Sequence, residues 1–281
     1  MKKIAIIGLG LIGASLLRAL QNKGFELVAI SSTLETVKKI QDENLANVAT
    51  SEMAAATGCD VVFVCTPIST VRDILCKLSK IVTKETVVTD AASVKGFICE
   101  YAKELDMNFI GSHPMAGTEN SGFDAAEENL FEGAKWVLTP DDEEKQKDGI
   151  ALLESVISKT GARTVIMSPD VHDEAVALIS HAPMILSQSL FYMISNYEKP
   201  HIGEAAKLLA SSGFRDMTRL ACSNTKMAMD MVEYNKENIF SAVNRFSLYE
   251  RNLLDNYELS VLEEIVKDRK NMYSKEGKNL Y

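Results

Sequence analysis

The chain opens "MKKIAIIGLGLIGASLL", residues 1–17, and the reading of these residues decides the fold. "KKIAIIG" is a short run rich in β-branched residues, the pattern of a buried strand. Gly8, Gly10 and Gly13 follow in GxGxxG spacing, and a helical stretch then runs from about Leu11 to Asn22. A strand, a glycine turn and a helix in that order mark the start of a βαβ dinucleotide-binding unit. The first glycine permits the tight turn, the second lets the backbone approach a pyrophosphate, and the third lets helix and strand pack closely. The helix N-terminus then offers free N–H groups and the positive end of its dipole to the phosphates. Outside that context the same glycines describe only a turn. Two lysines before an apolar run also resemble a secretory signal, but no cleavage site follows.

Working outward, strands and helices alternate. "ELVAIS", "DVVFVCTP", "ETVVTD", "NFIGSH", "KWVLTP" and "RTVIMS" read as strands, and "LETVKKIQDE", "ISTVRDILCKLSKIV", "SVKGFICEYAKEL" and "DEEKQKDGIALLESVISKT" as helices. The pattern predicts an α/β fold: a Rossmann-type, doubly wound, mainly parallel sheet covered on both faces. After Ser168 the pattern changes. "SPDVHDEAVALISHAPMILSQSLFYMI" predicts one long helix with Ser168 as N-cap, Pro169 at the first position, Asp170 in the first turn and a kink at Pro183. No strand is predicted beyond it. The chain therefore divides into a dinucleotide-binding domain, 1–167, and an all-helical domain, 168–281. The Met- and Leu-rich helices of the second part predict burial against each other or against a second subunit.

The 281 residues carry 30 Lys and Arg against 39 Asp and Glu, a net charge of −9. An acidic chain without a basic block argues against nucleic acid as a partner, and no polybasic segment suits an anionic membrane surface. No uninterrupted apolar run reaches about 18 residues, so no transmembrane helix is expected. Cys59, Cys65, Cys76, Cys99 and Cys222 are odd in number and form no CxxC pair. They read as reduced thiols of a cytoplasmic protein, with no metal site.

The second strand bears on which dinucleotide is bound. NAD use calls for an acid at its tip to hold the ribose 2′-hydroxyl. Here the tip is Ser31, Ser32 and Thr33, the nearest downstream acid is Glu35, and Lys38 and Lys39 follow a turn later. A missing carboxylate removes repulsion against a 2′-phosphate, so the residues lean to NADP, with NAD the alternative. The expected cofactor set is Gly8, Leu9, Gly10, Leu11, Ile12 and Gly13, then Ser31, Ser32 and Thr33, then Thr66 and Pro67 at the end of the third strand.

Four histidines are present: His113, His172, His181 and His201. Histidine is the side chain best suited to proton exchange near neutral pH. His113, in "FIGSHPMAGTENSGF", follows a predicted strand and is expected in a loop. Ser93, in "DAASVKG", likewise follows a strand end. Ligands of open parallel sheets bind outside such ends. Taken singly, Ser93 reads equally as a helix cap and His181 as a satisfied core histidine.

The ordered set "GLGLIG", "DAASVKG", "SHPMAGTE", "SPDVHD", "ISHAP" and "GFRDMTRLA" resembles the prephenate/arogenate dehydrogenase family of tyrosine biosynthesis. Generic dinucleotide-binding domains share only the first motif. The resemblance implies oxidative decarboxylation of a cyclohexadienol, with hydride passing from the carbinol carbon to NAD(P). It implies that His113 accepts the hydroxyl proton and that Ser93 orients His113 and contacts the hydroxyl. Arg219 corresponds to the family's arginine for the substrate's side-chain carboxylate, a role that suits a bidentate guanidinium. Arg215, four residues earlier, is a weaker candidate if one helical face carries both. Thr118 and Glu119 correspond to a segment lining the substrate site, with Glu119 controlling access. His181 corresponds to a histidine near the site, and His172 to a position that caps or stabilises a helix. The family's helical domain implies a homodimer.

One position departs from the family pattern. Met184 stands where members often carry a second histidine, which leaves prephenate versus arogenate, and tyrosine inhibition, open. No further regulatory or mutase domain is expected at either end. Two other readings remain: another NADP-dependent oxidoreductase of the β-hydroxyacid dehydrogenase or imine reductase type, and a non-catalytic NADP-binding sensor. The first usually relies on a lysine motif in the second domain, which does not stand out here. The second leaves His113, Ser93 and Arg219 without a purpose.

Overall fold

The computed structural model describes residues 1–118 and 120–274. Its first part contains β1 (Lys3–Ile7), α1 (Leu11–Leu20), β2 (Glu26–Ile30), α2 (Leu34–Asp42), β3 (Val48–Thr50), β4 (Val61–Val64) and α3 (Ile68–Leu78). It continues with β5 (Val87–Asp90), α4 (Gly96–Glu104), β6 (Gly111–Pro114), β7 (Lys135–Thr139), α5 (Lys147–Ile157) and β8 (Arg163–Ile166). Five strands form a parallel sheet in the order β3-β2-β1-β4-β5. Strand order reverses direction between β1 and β4, the switch point at which such sheets bind ligands. The register sets Ile30, Ile7, Val64 and Asp90 in one row across four strands. All four strands therefore end at one level, and the loops after them share one edge.

β6, β7 and β8 form a second sheet, with β6–β7 antiparallel and β7–β8 parallel. A parallel bridge between Val88 and Phe109 continues the first sheet into the second. The expected run of parallel strands thus reverses after β6, because the loop from Met115 to Ala134 returns the chain without a crossover helix. Strands with 0% exposure along Ile4–Ile6 and Val61–Val64 account for the unbroken apolar runs in the sequence, since both faces are covered. Trp136, fully buried, packs against Phe63 and Phe131 on one face.

The second part holds only helices among the described residues. α6 (Pro169–Val176) runs through a π-helical turn at Ala177–His181 into α7 (Ala182–Ser195). Ser168 caps α6 by accepting from the Val171 N–H at 3.4 Å, with Pro169 at the start. Pro183 has no N–H to give, and the helix widens in the turn before it rather than ending there. The helix Pro169–Ser195 is long and apolar enough, by length and composition, to cross a membrane. His172, Asp173 and His181 are nevertheless buried and hydrogen-bonded within the protein along its first half. α8 (Pro200–Leu209), α9 (Ser212–Met217), α10 (Thr225–Tyr234), α11 (Lys236–Asp255) and α12 (Leu259–Met272) follow.

The two parts are joined by packed and polar contacts. Phe97 of α4 stacks on Tyr234 of α10 with ring centroids 4.2 Å apart. Asp230 of α10 accepts from the N–H and hydroxyl of Ser69, at 3.1 and 2.9 Å, and so caps the first turn of α3 from outside.

Candidate active site

The glycine loop has the shape its sequence predicts. Gly8 adopts φ +89°, and a Cβ there would lie 2.7 Å from the Thr66 side chain and 2.9 Å from the Cys65 backbone. A Cβ on Gly13 would lie 2.0 Å from the Gly8 carbonyl oxygen, so α1 can pack on β1 only without one. A Cβ on Gly10 would meet nothing within 4 Å; that is the open side from which a pyrophosphate can approach. α1 has no side-chain N-cap and no acid in its first turn, leaving its N–H groups and dipole for an anion. Beside the loop, the Thr66 hydroxyl is buried with no hydrogen-bond partner among the described residues. An orphaned hydroxyl facing a glycine cradle fits a bound dinucleotide. Leu9 is buried, while Leu11 and Ile12 are partly exposed at the helix start. Pro67 begins α3.

At the tip of β2, Ser31 is buried and its hydroxyl accepts from the Thr33 N–H at 3.2 Å. Ser32 and Thr33 are exposed. Lys39 is committed elsewhere, to Asp124 at 2.9 Å and Glu35 at 3.5 Å. Any 2′-phosphate here would therefore meet hydroxyls and the N-terminus of α2, not Lys39.

His113 is not in a loop. It lies on β6, opposite Val137 of β7, two strands along the same edge from the β4 loop. Its Nδ1 is 2.9 Å from His172 Nε2. His172 Nδ1 is 2.7 Å from Asp173 Oδ1. The two Asp173 oxygens also accept from the Lys95 and Gly96 N–H groups, each at 2.8 Å. A carboxylate only accepts, so His172 donates through Nδ1. Neutral His172 then accepts at Nε2, His113 donates through Nδ1, and the lone pair of His113 lies on Nε2. The sequence reading missed this relay. His172 and Asp173 stand together in "SPDVHD", and that pairing was the available signal.

The relay extends further. Asn235 Nδ2, at the junction of α10 and α11, donates to the Asp173 carbonyl at 2.9 Å and lies 3.1 Å from His181 Nδ1. His181 is thus a satisfied core histidine one link from the relay. Burial drives its pKa down to about 4, with Asp173 opposing and His172 adding to the shift. Burial likewise holds His113 well below the usual imidazole value, aided by His172, Lys95 and His181.

Ser93 lies partly buried between β5 and α4 and makes no hydrogen bond among the described residues. The group that holds His113 here is His172, not Ser93. Thr118, partly buried, accepts from the Asn120 N–H at 3.2 Å. Glu119 lies outside the described residues. Arg219 opens a 3-10 turn, Arg219–Cys222, that packs on α7. It is exposed, with no hydrogen bond or ion pair among the described residues. Arg215 lies on α9, which ends at Met217, so one helical face does not carry both arginines. Its nearest charged partner is Asp216, at 3.7 Å. Met184 is buried at 3% exposure in the apolar core with Met231.

Residues 16–166 match the family model for the prephenate dehydrogenase nucleotide-binding domain, and 168–267 that for the prephenate dehydrogenase dimerization domain. The chain belongs to the prephenate dehydrogenase family. It is an NAD(P)-dependent dehydrogenase. It is 33% identical over 252 residues to a prephenate dehydrogenase of Lactococcus lactis, covering 88% of this chain. The chain spans about two thirds of the length of such relatives, 68% of that protein and 65% of a Bacillus subtilis prephenate dehydrogenase. A Synechocystis arogenate dehydrogenase structure matches with TM-score 0.83 and 35% identity, covering 96% of this chain and 97% of that one. An Aquifex aeolicus prephenate dehydrogenase structure, holding hydroxyphenyl propionate and NAD+, matches with TM-score 0.84 and 30% identity over 97% and 96% of the two chains.

The depressed pKa of buried His181 makes stability depend on pH. Between the unfolded value near 6.5 and the folded value of about 4, the unfolded state binds more protons, so stability rises with pH across this window. Acidification through it should cost on the order of 3 kcal/mol at most. Denaturant unfolding of His181→Gln between pH 4 and 6.5 should show a shallower slope than wild type; an identical slope would remove His181 as its source.

Proposed function

We propose that the protein oxidises and decarboxylates prephenate, to 4-hydroxyphenylpyruvate, or arogenate, to tyrosine, with His113 accepting the ring-hydroxyl proton. Residues 1–167 bind the dinucleotide, and residues 168–281 form the helical half. The observation that carries the reading is the free Nε2 of His113, backed through Nδ1 by His172 and Asp173, on the sheet edge shared with the glycine loop. A dinucleotide held by Gly8, Gly10 and Gly13 would supply the acceptor for the hydride of the carbinol carbon. The hydroxyl proton then has an acceptor in His113 Nε2. Asp173 and His172 hold that ring in one tautomer and stabilise the imidazolium that forms. Loss of CO2 produces an aromatic ring, so the chain needs to orient the reactants more than to activate the leaving group. Arg219, an exposed and unpaired cation among the described residues, suits the side-chain carboxylate, and Thr118 suits the rim of the substrate site.

The cofactor lean is to NADP, on the uncharged Ser31, Ser32 and Thr33 tip, while the Aquifex aeolicus structure holds NAD+. A homodimer through the helical half has support from its match to the family's dimerization domain. It also has support from the apolar side chains it exposes, among them Leu208 at 85% and Leu209 at 78%. Five free cysteines suit the cytoplasm.

Mixing protein with prephenate or arogenate and NAD or NADP, then following reduced cofactor, tests the reading; no turnover in any of the four mixtures would defeat it, and preference for NAD would defeat the NADP lean. His113→Asn should lower kcat by about 10²- to 10⁴-fold with dinucleotide affinity retained. Because the His113 pKa is depressed, wild-type kcat should hold from neutral pH to below 6.5 before falling as the ring protonates; unchanged turnover in His113→Asn would exclude it as the base. Arg219→Gln should raise the substrate KM about ten- to hundredfold with a smaller change in kcat; an unchanged KM would take Arg219 out of the site.

A further inference from the structure

Beneath His113 lies a charged pair that the reaction scheme above does not use. Lys95 and Asp90 are both 0% exposed and ion-paired. Lysine is almost never fully buried unless paired, and buried pairs are poor stabilisers against apolar replacements. What this pair holds is therefore more informative than its contribution to stability.

It holds the residue before His113. Between β5 and the start of β6 the ladder is ordinary, with Val88 N–H to Asn108 O at 2.9 Å and Ile110 N–H to Val88 O at 3.0 Å. The next rung would join the Ser112 N–H to the Asp90 carbonyl. Instead the Ser112 N–H donates to Asp90 Oδ1 at 3.0 Å, and the Ser112 hydroxyl takes the Asp90 carbonyl at 2.5 Å. Lys95 Nζ bonds Asp90 Oδ2 and donates to the Ser112 carbonyl at 2.8 Å. From the other side, Trp136 Nε1 donates to the Ser112 hydroxyl at 3.0 Å. Every polar atom of Ser112 is fixed. The Lys95 backbone N–H is the same one that holds Asp173.

We propose that Lys95 is a positioning residue for the reaction: its ammonium fixes the Ser112 peptide that carries His113, while its N–H anchors Asp173 at the far end of the relay. The inference rests on His113 as proton acceptor. The groups acting on His113 are Lys95 and His172 with His181, Asp173 behind His172, and Asp90 behind Lys95. Removing the ammonium takes away a cation that disfavours protonated His113 and leaves the Asp90 carboxylate uncompensated, which favours the imidazolium. Removing the carboxylate leaves the ammonium and disfavours it.

The experiment compares kcat–pH profiles of purified, folded Lys95→Met and Asp90→Asn with wild type. Both should lose kcat by about ten- to hundredfold. The acid limb of Lys95→Met should lie above that of Asp90→Asn by about one pH unit, and the double variant should fall between them. A merely structural role would lower kcat in both with the limbs coincident, and that result would overturn the proposal. If Lys95→Met does not fold, Asp90→Asn decides alone: a limb below that of wild type supports the proposal, and an unmoved limb overturns it. His113→Asn run in parallel separates the two readings. Unchanged turnover there sinks the base assignment whatever Lys95 does, whereas lost turnover with coincident Lys95 and Asp90 limbs sinks only the present proposal.

Discussion

The carboxylate of Asp173 is the joint on which the site depends. It stands in α6, just past the last strand, and takes two N–H groups from the start of α4 and one from His172, while its own carbonyl receives Asn235 from the α10–α11 junction. One residue therefore ties the start of α4, the long helix and the later helices together. A buried carboxylate is costly unless its lone pairs are satisfied. Here three donors meet it, and charge-assisted bonds of that kind are among the stronger ones in proteins. With one proton on each ring, the same bonds set which nitrogen of His172 and His113 carries it.

Rigid placement explains why His113 sits on a strand instead of in a loop. A side chain on a paired strand, with its preceding peptide bonded at N–H, carbonyl and hydroxyl, is held more closely than one on a free loop. Burial keeps the imidazole neutral and the relay keeps its free nitrogen aimed away from His172. In the proton transfer proposed above, a base of lowered pKa is a weaker acceptor, and the relay would offset this by stabilising the charge.

The first motif and the alternation of strands and helices were legible in the residues, because each rests on local rules: glycine conformation, apolar runs and N-cap chemistry at Ser168. β3 (Val48–Thr50) escaped because three partly exposed residues carry little periodicity, and the reversal at β7 escaped because strand direction is set by the length and path of a connection. The candidate site was half legible. His113 and the glycine loop were visible as residue types in motifs. Asn235 and the Asp173 carbonyl meet across 62 residues, and Ser112 is held by atoms from β5, α4 and β7; no spacing rule encodes such meetings. Arg215 and Arg219 share no helical face because α9 stops at Met217, and a short helix end of this kind leaves little trace in the spacing of the residues.

The sheet also sets the scale of the site. The cofactor loops follow β1, β2 and β4, and His113 lies on β6, with β5 between β4 and β6. Neighbouring strands stand about 4.8 Å apart, so the backbone of His113 lies two strand spacings, on the order of 10 Å, from β4. His113 and the cofactor loops are carried by the same set of paired strands. The contacts that cross between the halves, Asp173 to α4 and Asp230 to Ser69, lie beside these same loops, so domain packing and the geometry of the reaction are held by the same few bonds.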